Sequence, residues 1–310
     1  MGVNLLHYRA WGGAFAGSGW TVWPIARTAV MMVFRRKLFW ALYACALLMF
    51  LVFFFGQYLL AWAETQAGET AIPIGLGGKA KPGEIIEQLR VVMKLNGSAE
   101  TYRNFFWYQG YMVMVLLAMA GAILVGNDVH YGSLPFYLSK PLSPFHYMIG
   151  KCLAVAVFVN LMTTVPALVL FMQYRALYSW GALGSELRLL VGILGYGLVL
   201  TVFLSVMLVA TATWLRRTVP LIMAWTTTFF FFRLLASALV DGLKYDANWR
   251  LIDLWNNAYV LGNVCLGIAV EEIRPAPQPA WQLAALVLGA MCILCLSYLS
   301  LRIRGVEVVR

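Results

Sequence analysis

The feature that most constrains this chain is a run of 25 residues, Leu38–Trp62, that contains no charged side chain. A helix of that length can cross the ~30 Å hydrocarbon core of a bilayer. Hydrophobic residues make up 62% of the chain and charged residues 12%, whereas soluble domains hold about 45–50% and about 25%. We therefore predict an all-α integral membrane protein with six transmembrane helices. The predicted spans are residues 38–62, 105–125, 148–172, 187–210, 220–240 and 281–301.

Basic residues are distributed unevenly among the segments between these spans. If the N-terminus is cytoplasmic, the cytoplasmic segments hold twelve Lys and Arg against two acidic residues, Asp128 and Glu307, and the rest of the chain holds eleven of each. Such a bias marks the cytoplasmic side. We expect both termini in the cytoplasm, segments 64–103 and 241–280 outside, and a bacterial-type plasma (inner) membrane. The net charge of +10 favours this topology and anionic lipid as a partner, not nucleic acid.

The chain divides into a cytoplasmic lead at 1–37, a transmembrane domain at 38–301 and a cytoplasmic tail at 302–310. Within the lead, Thr21–Lys37 is predicted to form an interfacial helix with an apolar stripe. A cytoplasmic extension of the first span is the alternative, but Trp20 suits the headgroup layer. The stripe consists of Trp23, Ala26, Val30, Val33 and Phe34.

The connector between the second and third spans, Gly126–Lys151, is predicted to be structured. Ser133 can cap a short helix, and Pro141 ends it. Ser143 and Pro144 then form an N-cap and first-position pair that opens the third span. One interpretation is a well-capped interhelical loop, and the other is a docking element for a soluble partner.

The connector also carries a short motif. Its residues are Asp128, then Gly132-Ser133-Leu134, then Leu138-Ser139-Lys140-Pro141, then Gly150-Lys151. This pattern resembles that of permease subunits of ABC-2 type ABC transporters, which have an acidic residue, Gly-Thr-Leu, Leu-Ser-x-Pro and Gly-Lys in this order. The chain departs from it in having Asp128 for Glu, Ser133 for Thr, and Pro144-Phe145 where a basic residue is common.

The resemblance implies an ABC-2 exporter-like fold and the membrane-spanning permease subunit of an ATP-driven exporter. It implies a separate ABC ATPase subunit, which binds ATP and Mg, and a second permease subunit in a homo- or heterodimer. The chain itself would hold no cofactor and would not be catalytic. The residues that the resemblance assigns to the ATPase contact are Asp128, Gly132, Ser133, Leu134, Leu138, Ser139, Lys140 and Pro141.

Motifs for chemistry are few in this sequence. The segment Gly75–Lys79 imitates a phosphate loop, but its glycine spacing is wrong and Ala80 stands where a magnesium-binding hydroxyl is needed. Neither a metal-binding set nor a Ser/His/Asp arrangement is evident. Cys292 and Cys295 lie three residues apart and are interpreted as packing residues. An intramembrane enzyme is therefore disfavoured.

Two polar residues within the predicted spans are candidates for a substrate path or for contact between spans. Arg233 follows four phenylalanines, and Asn160 lies in the third span. An intramembrane charge is costly and marks a functional candidate. Snorkelling of Arg233 toward the outer end of its helix, where Asp241 lies, is the alternative.

A second class of function fits the same spans. A non-transporting polytopic scaffold, or the anchor of a membrane complex, would explain the apolar helices but not the connector motif. Apolar spans with few polar groups suit lipids, lipid-linked glycans, hydrophobic drugs or peptides better than small ions.

Overall fold

A computed structural model describes residues 22–66, 72–74, 78–80, 94–126, 128, 143–178 and 183–303 of the chain. Six of its helices are long and apolar enough to cross a membrane, as predicted. We call them spans 1 to 6 in chain order. They are Lys37–Trp62, Ala99–Gly126, Pro144–Tyr178, Gly184–Leu215, Thr218–Gly242 and Trp281–Arg302.

The described residues are mostly helical, and they include one small hairpin in which Ile72–Ile74 and Gly78–Ala80 pair antiparallel with Pro73 opposite Lys79. Three π-helical turns, Ala122–Gly126, Thr227–Phe231 and Ala238–Gly242, continue spans 2 and 5. Two 3₁₀ turns, Ala247–Ile252 and Val270–Glu272, precede and follow α9. The elements are α1 Val22–Phe34, α2 Lys37–Gln66, β1 Ile72–Ile74, β2 Gly78–Ala80, α3 Ala99–Gly121, α4 Pro144–Met162, α5 Thr164–Tyr178, α6 Leu183–Leu215, α7 Thr218–Thr226, α8 Phe232–Ser237, α9 Leu254–Cys265 and α10 Trp281–Arg302.

Span 3 begins and bends where its sequence dictates. The Ser143 side chain accepts a hydrogen bond from the backbone N–H of His146, and Pro144 occupies the first turn, so the predicted cap is confirmed. The helix breaks at Thr163, between α4 and α5. Pro166 lacks the N–H that would bond to the carbonyl of Met162, which accounts for a break at this point.

Helix α1 packs against the first turns of α4. Its buried face consists of Ile25, Ala26, Ala29 and Val33. A Cβ at Gly150 would lie 2.8 Å from Ile25 Cγ2, so only glycine allows this approach. Trp23, which the sequence placed on the apolar stripe, is 54% exposed and lies outside this buried face.

Helix α6 lies at the centre of the bundle, packed against α4, α9 and α10. The helix α9 is embedded between the spans, because Trp255 packs directly onto Gly110 of span 2 and Gly262 packs onto the ring of Tyr196. At Gly192 an added Cβ would lie 2.7 Å from the carbonyl oxygen of Cys265. The segment that the sequence placed outside the membrane therefore returns into the bundle.

The bundle has two ends. One end carries the start of span 1 with Arg36 and Lys37, the start of span 5 with Arg217, and the end of span 6 with Arg302. We call it the basic face. The other end carries the segment from Leu243 to Ala280, and we call it the opposite face.

Candidate functional site

Of the eight residues predicted to contact an ATPase, Asp128 alone lies within the described part of the chain. It immediately precedes the undescribed stretch 129–142 and follows the end of span 2. The other seven lie outside the described residues: Gly132, Ser133, Leu134, Leu138, Ser139, Lys140 and Pro141.

Asp128 is paired inside the bundle. Its Oδ2 lies 2.6 Å from Lys151 Nζ, and Tyr147 donates its hydroxyl to the same oxygen at 3.0 Å. Lys151 Nζ also donates to the backbone carbonyl of Leu124 at 2.5 Å. Lys151 is 2% exposed and Asp128 7%. The pair therefore joins the end of span 2 to the first turns of span 3.

The sequence resemblance assigned Asp128 to the ATPase contact and did not indicate these partners. Tyr147 and Lys151 are four residues apart on one helix, which places their side chains on one face. That spacing indicates that the two side chains can contact the same partner. Which residue is the partner depends on how spans 2 and 3 pack against each other. The buried pair is costly to desolvate and is stable only because each charge has hydrogen-bonding partners.

Arg233 of α8 contacts span 2. Its guanidinium carbon lies 4.4 Å from the ring centroid of Trp107 and 5.2 Å from that of Tyr111. Its Nη1 is buried without a hydrogen-bond partner among the described residues. Asp241, the partner expected for a snorkelling Arg233, instead lies 2.6 Å from Arg250 Nη2.

The other intramembrane candidate, Asn160, joins spans 3 and 4. Its Nδ2 donates to Thr201 Oγ1 at 2.9 Å and to the carbonyl of Ala156 at 2.8 Å. Arg233 contacts span 2, so the two candidates serve different pairs of spans. In this arrangement each of them holds helices together.

A buried polar layer closes the opposite face, and sequence reasoning missed it. Asp253 caps α9 by accepting hydrogen bonds from the backbone N–H groups of Trp255 and Asn256 at 3.0 and 3.1 Å. Burial raises the pKa of the Asp253 carboxyl, and the hydrogen bonds from these two amides partly oppose the shift. Arg250 is buried and donates from Nε to the carbonyl of Pro277 at 2.8 Å. An aspartate just before a helix is a capping signal that the sequence does contain.

Within the described ranges, no group of three or more His, Cys, Asp or Glu residues could hold a metal ion. All five cysteines lie in those ranges and are free thiols. The polar contacts described above tie helices to one another.

Comparison of the chain with protein-family models finds no match, and neither does comparison with curated proteins. The resemblance to ABC-2 permeases therefore stays a prediction from the connector motif and the hydrophobic layout of the sequence.

The contact between Arg233 and Trp107 predicts a measurable coupling. Arg233→Gln and Trp107→Leu should each lower the free energy of unfolding in detergent, and their double-mutant cycle should give a coupling of about 0.5–2 kcal/mol. With Arg233→Lys in place of Arg233→Gln, part of the coupling with Trp107 should be retained. The exposed Arg217 supplies the control variant Arg217→Gln. A coupling near zero would show that Trp107 does not hold Arg233.

Proposed function

We propose that this chain is the membrane-spanning permease subunit of an ATP-driven ABC exporter of the ABC-2 type. The observation that carries the proposal is the buried contact of Asp128 with Lys151 and Tyr147. It binds the residue before the undescribed connector to the helix after it. A displacement of the connector would therefore move spans 2 and 3 together, because the pair holds the two helix ends to each other.

Helix α1 extends this joint. It packs on α4 at Gly150, next to Lys151, and Trp23, Arg27 and Arg35 lie on its exposed side. A helix with one apolar buried face and one face bearing Trp and Arg suits the membrane interface. We infer that α1 lies in the cytoplasmic interface and moves with the start of span 3.

The mechanism that follows has two parts. A separate ATPase subunit binds ATP and Mg and docks on the connector through Leu134 and Leu138, with Lys140 orienting it. Closure of the ATPase shifts the connector, and the Asp128–Lys151 pair passes that shift to spans 2 and 3. A second permease subunit completes the path, and this chain contributes no catalytic group of its own.

The topology proposed here puts the basic face in the cytoplasm of a plasma-membrane protein, because Lys and Arg are retained on that side. In a variant lacking the five native cysteines, Glu271→Cys on the opposite face should react with an impermeant maleimide on intact cells. Arg217→Cys should react only after permeabilisation. Both positions are exposed, so accessibility within the fold does not bias the comparison. The reverse labelling pattern would contradict the proposed orientation.

Purification of the tagged chain from its native membranes tests the partnership. We expect an ABC ATPase subunit to be retained at a stoichiometry near one per permease. Retention of membrane enzymes or assembly proteins with no ATPase among them would favour the scaffold, which the six spans fit equally well.

A further inference from the structure

A cavity of about 450 Å³ opens at the basic face between the turn that joins α1 to span 1, the end of span 2 and the start of span 5. This volume falls within the range of pockets that bind small molecules. Its walls are apolar, and Arg36 and Lys37 lie at its edge. The apolar residues that matter here are Leu42, Leu116, Met119 and Ile123.

The charge of the cavity selects an anion. Arg36 and Lys37 are exposed, and neither makes an ion pair within the described ranges. Among the described residues, the lining contains no carboxylate. A guanidinium binds phosphate oxygens in a bidentate manner, and an ammonium adds a second positive charge. The edge of the cavity is therefore complementary to a phosphate group.

The apolar wall runs from this charged edge into the bundle. From Ile123 to Leu116 it follows span 2 for seven residues, or roughly 10 Å of helix. Trp40, which follows the lining residue Phe39 in sequence and is 54% exposed, donates its indole N–H to the carbonyl of Phe34 at 2.8 Å. Tryptophan at this position is typical of the headgroup layer. The phosphate site thus lies at headgroup depth with the apolar wall directed toward the hydrocarbon.

We propose that this cavity binds an anionic glycerophospholipid, with the phosphate on Arg36 and Lys37 and the first part of one acyl chain along Leu116, Met119 and Ile123. A soluble phosphate compound has no acyl chain and would not contact the apolar wall. The lipid bridges α1, span 1, span 2 and span 5, so it forms part of the fold at the basic face. This inference does not depend on the proposed transport function.

Native mass spectrometry of the delipidated, full-length protein tests the site by titration with phosphatidylglycerol and with phosphatidylcholine. We expect selective binding of phosphatidylglycerol, and a loss of about five-fold in affinity for each charge removed in Arg36→Gln and Lys37→Gln. The matched control is the pair Lys244→Gln and Arg274→Gln, which removes the same charge from exposed residues on the opposite face. The control pair should leave the affinity nearly unchanged.

A second variant examines the apolar wall. Met119→Trp fills the cavity without changing its charge and should weaken phosphatidylglycerol binding at least ten-fold, while the thermal unfolding temperature stays close to that of the parent. Glycerol phosphate at millimolar concentration should not compete. Any one of four results would overturn the proposal. The first two are an equal loss of phosphatidylglycerol affinity in the control pair and equal binding of phosphatidylcholine by the parent. The others are undiminished phosphatidylglycerol binding by Met119→Trp and competition by glycerol phosphate.

Discussion

Lys151→Met is expected to lower the free energy of unfolding by about 3–5 kcal/mol, because it leaves the Asp128 carboxylate buried without a counter-charge. Methionine is close to lysine in length, so the cavity term is small. The remaining hydrogen bond from Tyr147 does not neutralise the charge. The free energy is measured by denaturant titration in detergent micelles.

The double variant Asp128→Asn/Lys151→Met removes both charges and should recover most of this loss, since replacing a whole buried pair by uncharged groups is often neutral. The control is Lys244→Met, which removes an exposed lysine on the opposite face. We expect this control to lower the free energy of unfolding by no more than about 0.5 kcal/mol. A stable Lys151→Met, or a double variant no better than the single, would show that the pair does not hold spans 2 and 3 together.

The second large effect is expected in the connector. Leu134→Ser/Leu138→Ser should release the ATPase subunit while the permease still inserts with six spans, because both leucines lie between the predicted spans 105–125 and 148–172. Truncation of an interface anchor commonly costs about 2 kcal/mol or more, so the two together should weaken the complex by roughly a thousand-fold. The readout is the amount of ATPase retained during affinity purification.

A matched control for this double variant is Leu243→Ser. Leu243 is 62% exposed and lies on the opposite face, beyond the end of span 5. Its replacement removes apolar surface of the same kind from a place that a cytoplasmic ATPase cannot reach. If the double variant retains as much ATPase as the control does, the connector is a simple loop and not a docking element.

The spans and the entry to span 3 could be predicted from sequence because their causes are local. A bilayer admits only helices and closed barrels, so long charge-free runs specify helices. The Ser143-Pro144 pair acts on adjacent backbone groups, and the structure confirms it. Span 2 begins at Ala99, earlier than its apolar run, and Glu100 in its first turn pairs with Lys94 at 2.9 Å.

Contacts between distant parts of the chain could not be predicted in the same way. Trp255 meets Gly110 across 145 residues, and no local pattern encodes that approach. The three asparagines of α9 suggest a solvated helix by composition, yet Asn256, Asn257 and Asn263 are buried among the spans. The contact between Asp128 and Lys151 could not be predicted for the same reason, because it depends on the packing of two spans.

ATP hydrolysis by the co-purified complex in liposomes measures most directly whether this chain is half of an ATP-driven machine. The account predicts that the chain alone hydrolyses no ATP. With its ATPase subunit it should give Mg-dependent hydrolysis that exceeds the rate of the ATPase alone and falls to that rate in Leu134→Ser/Leu138→Ser. An ATPase rate that is the same with and without this chain, or a purified chain that retains no ATPase, would contradict the central claim.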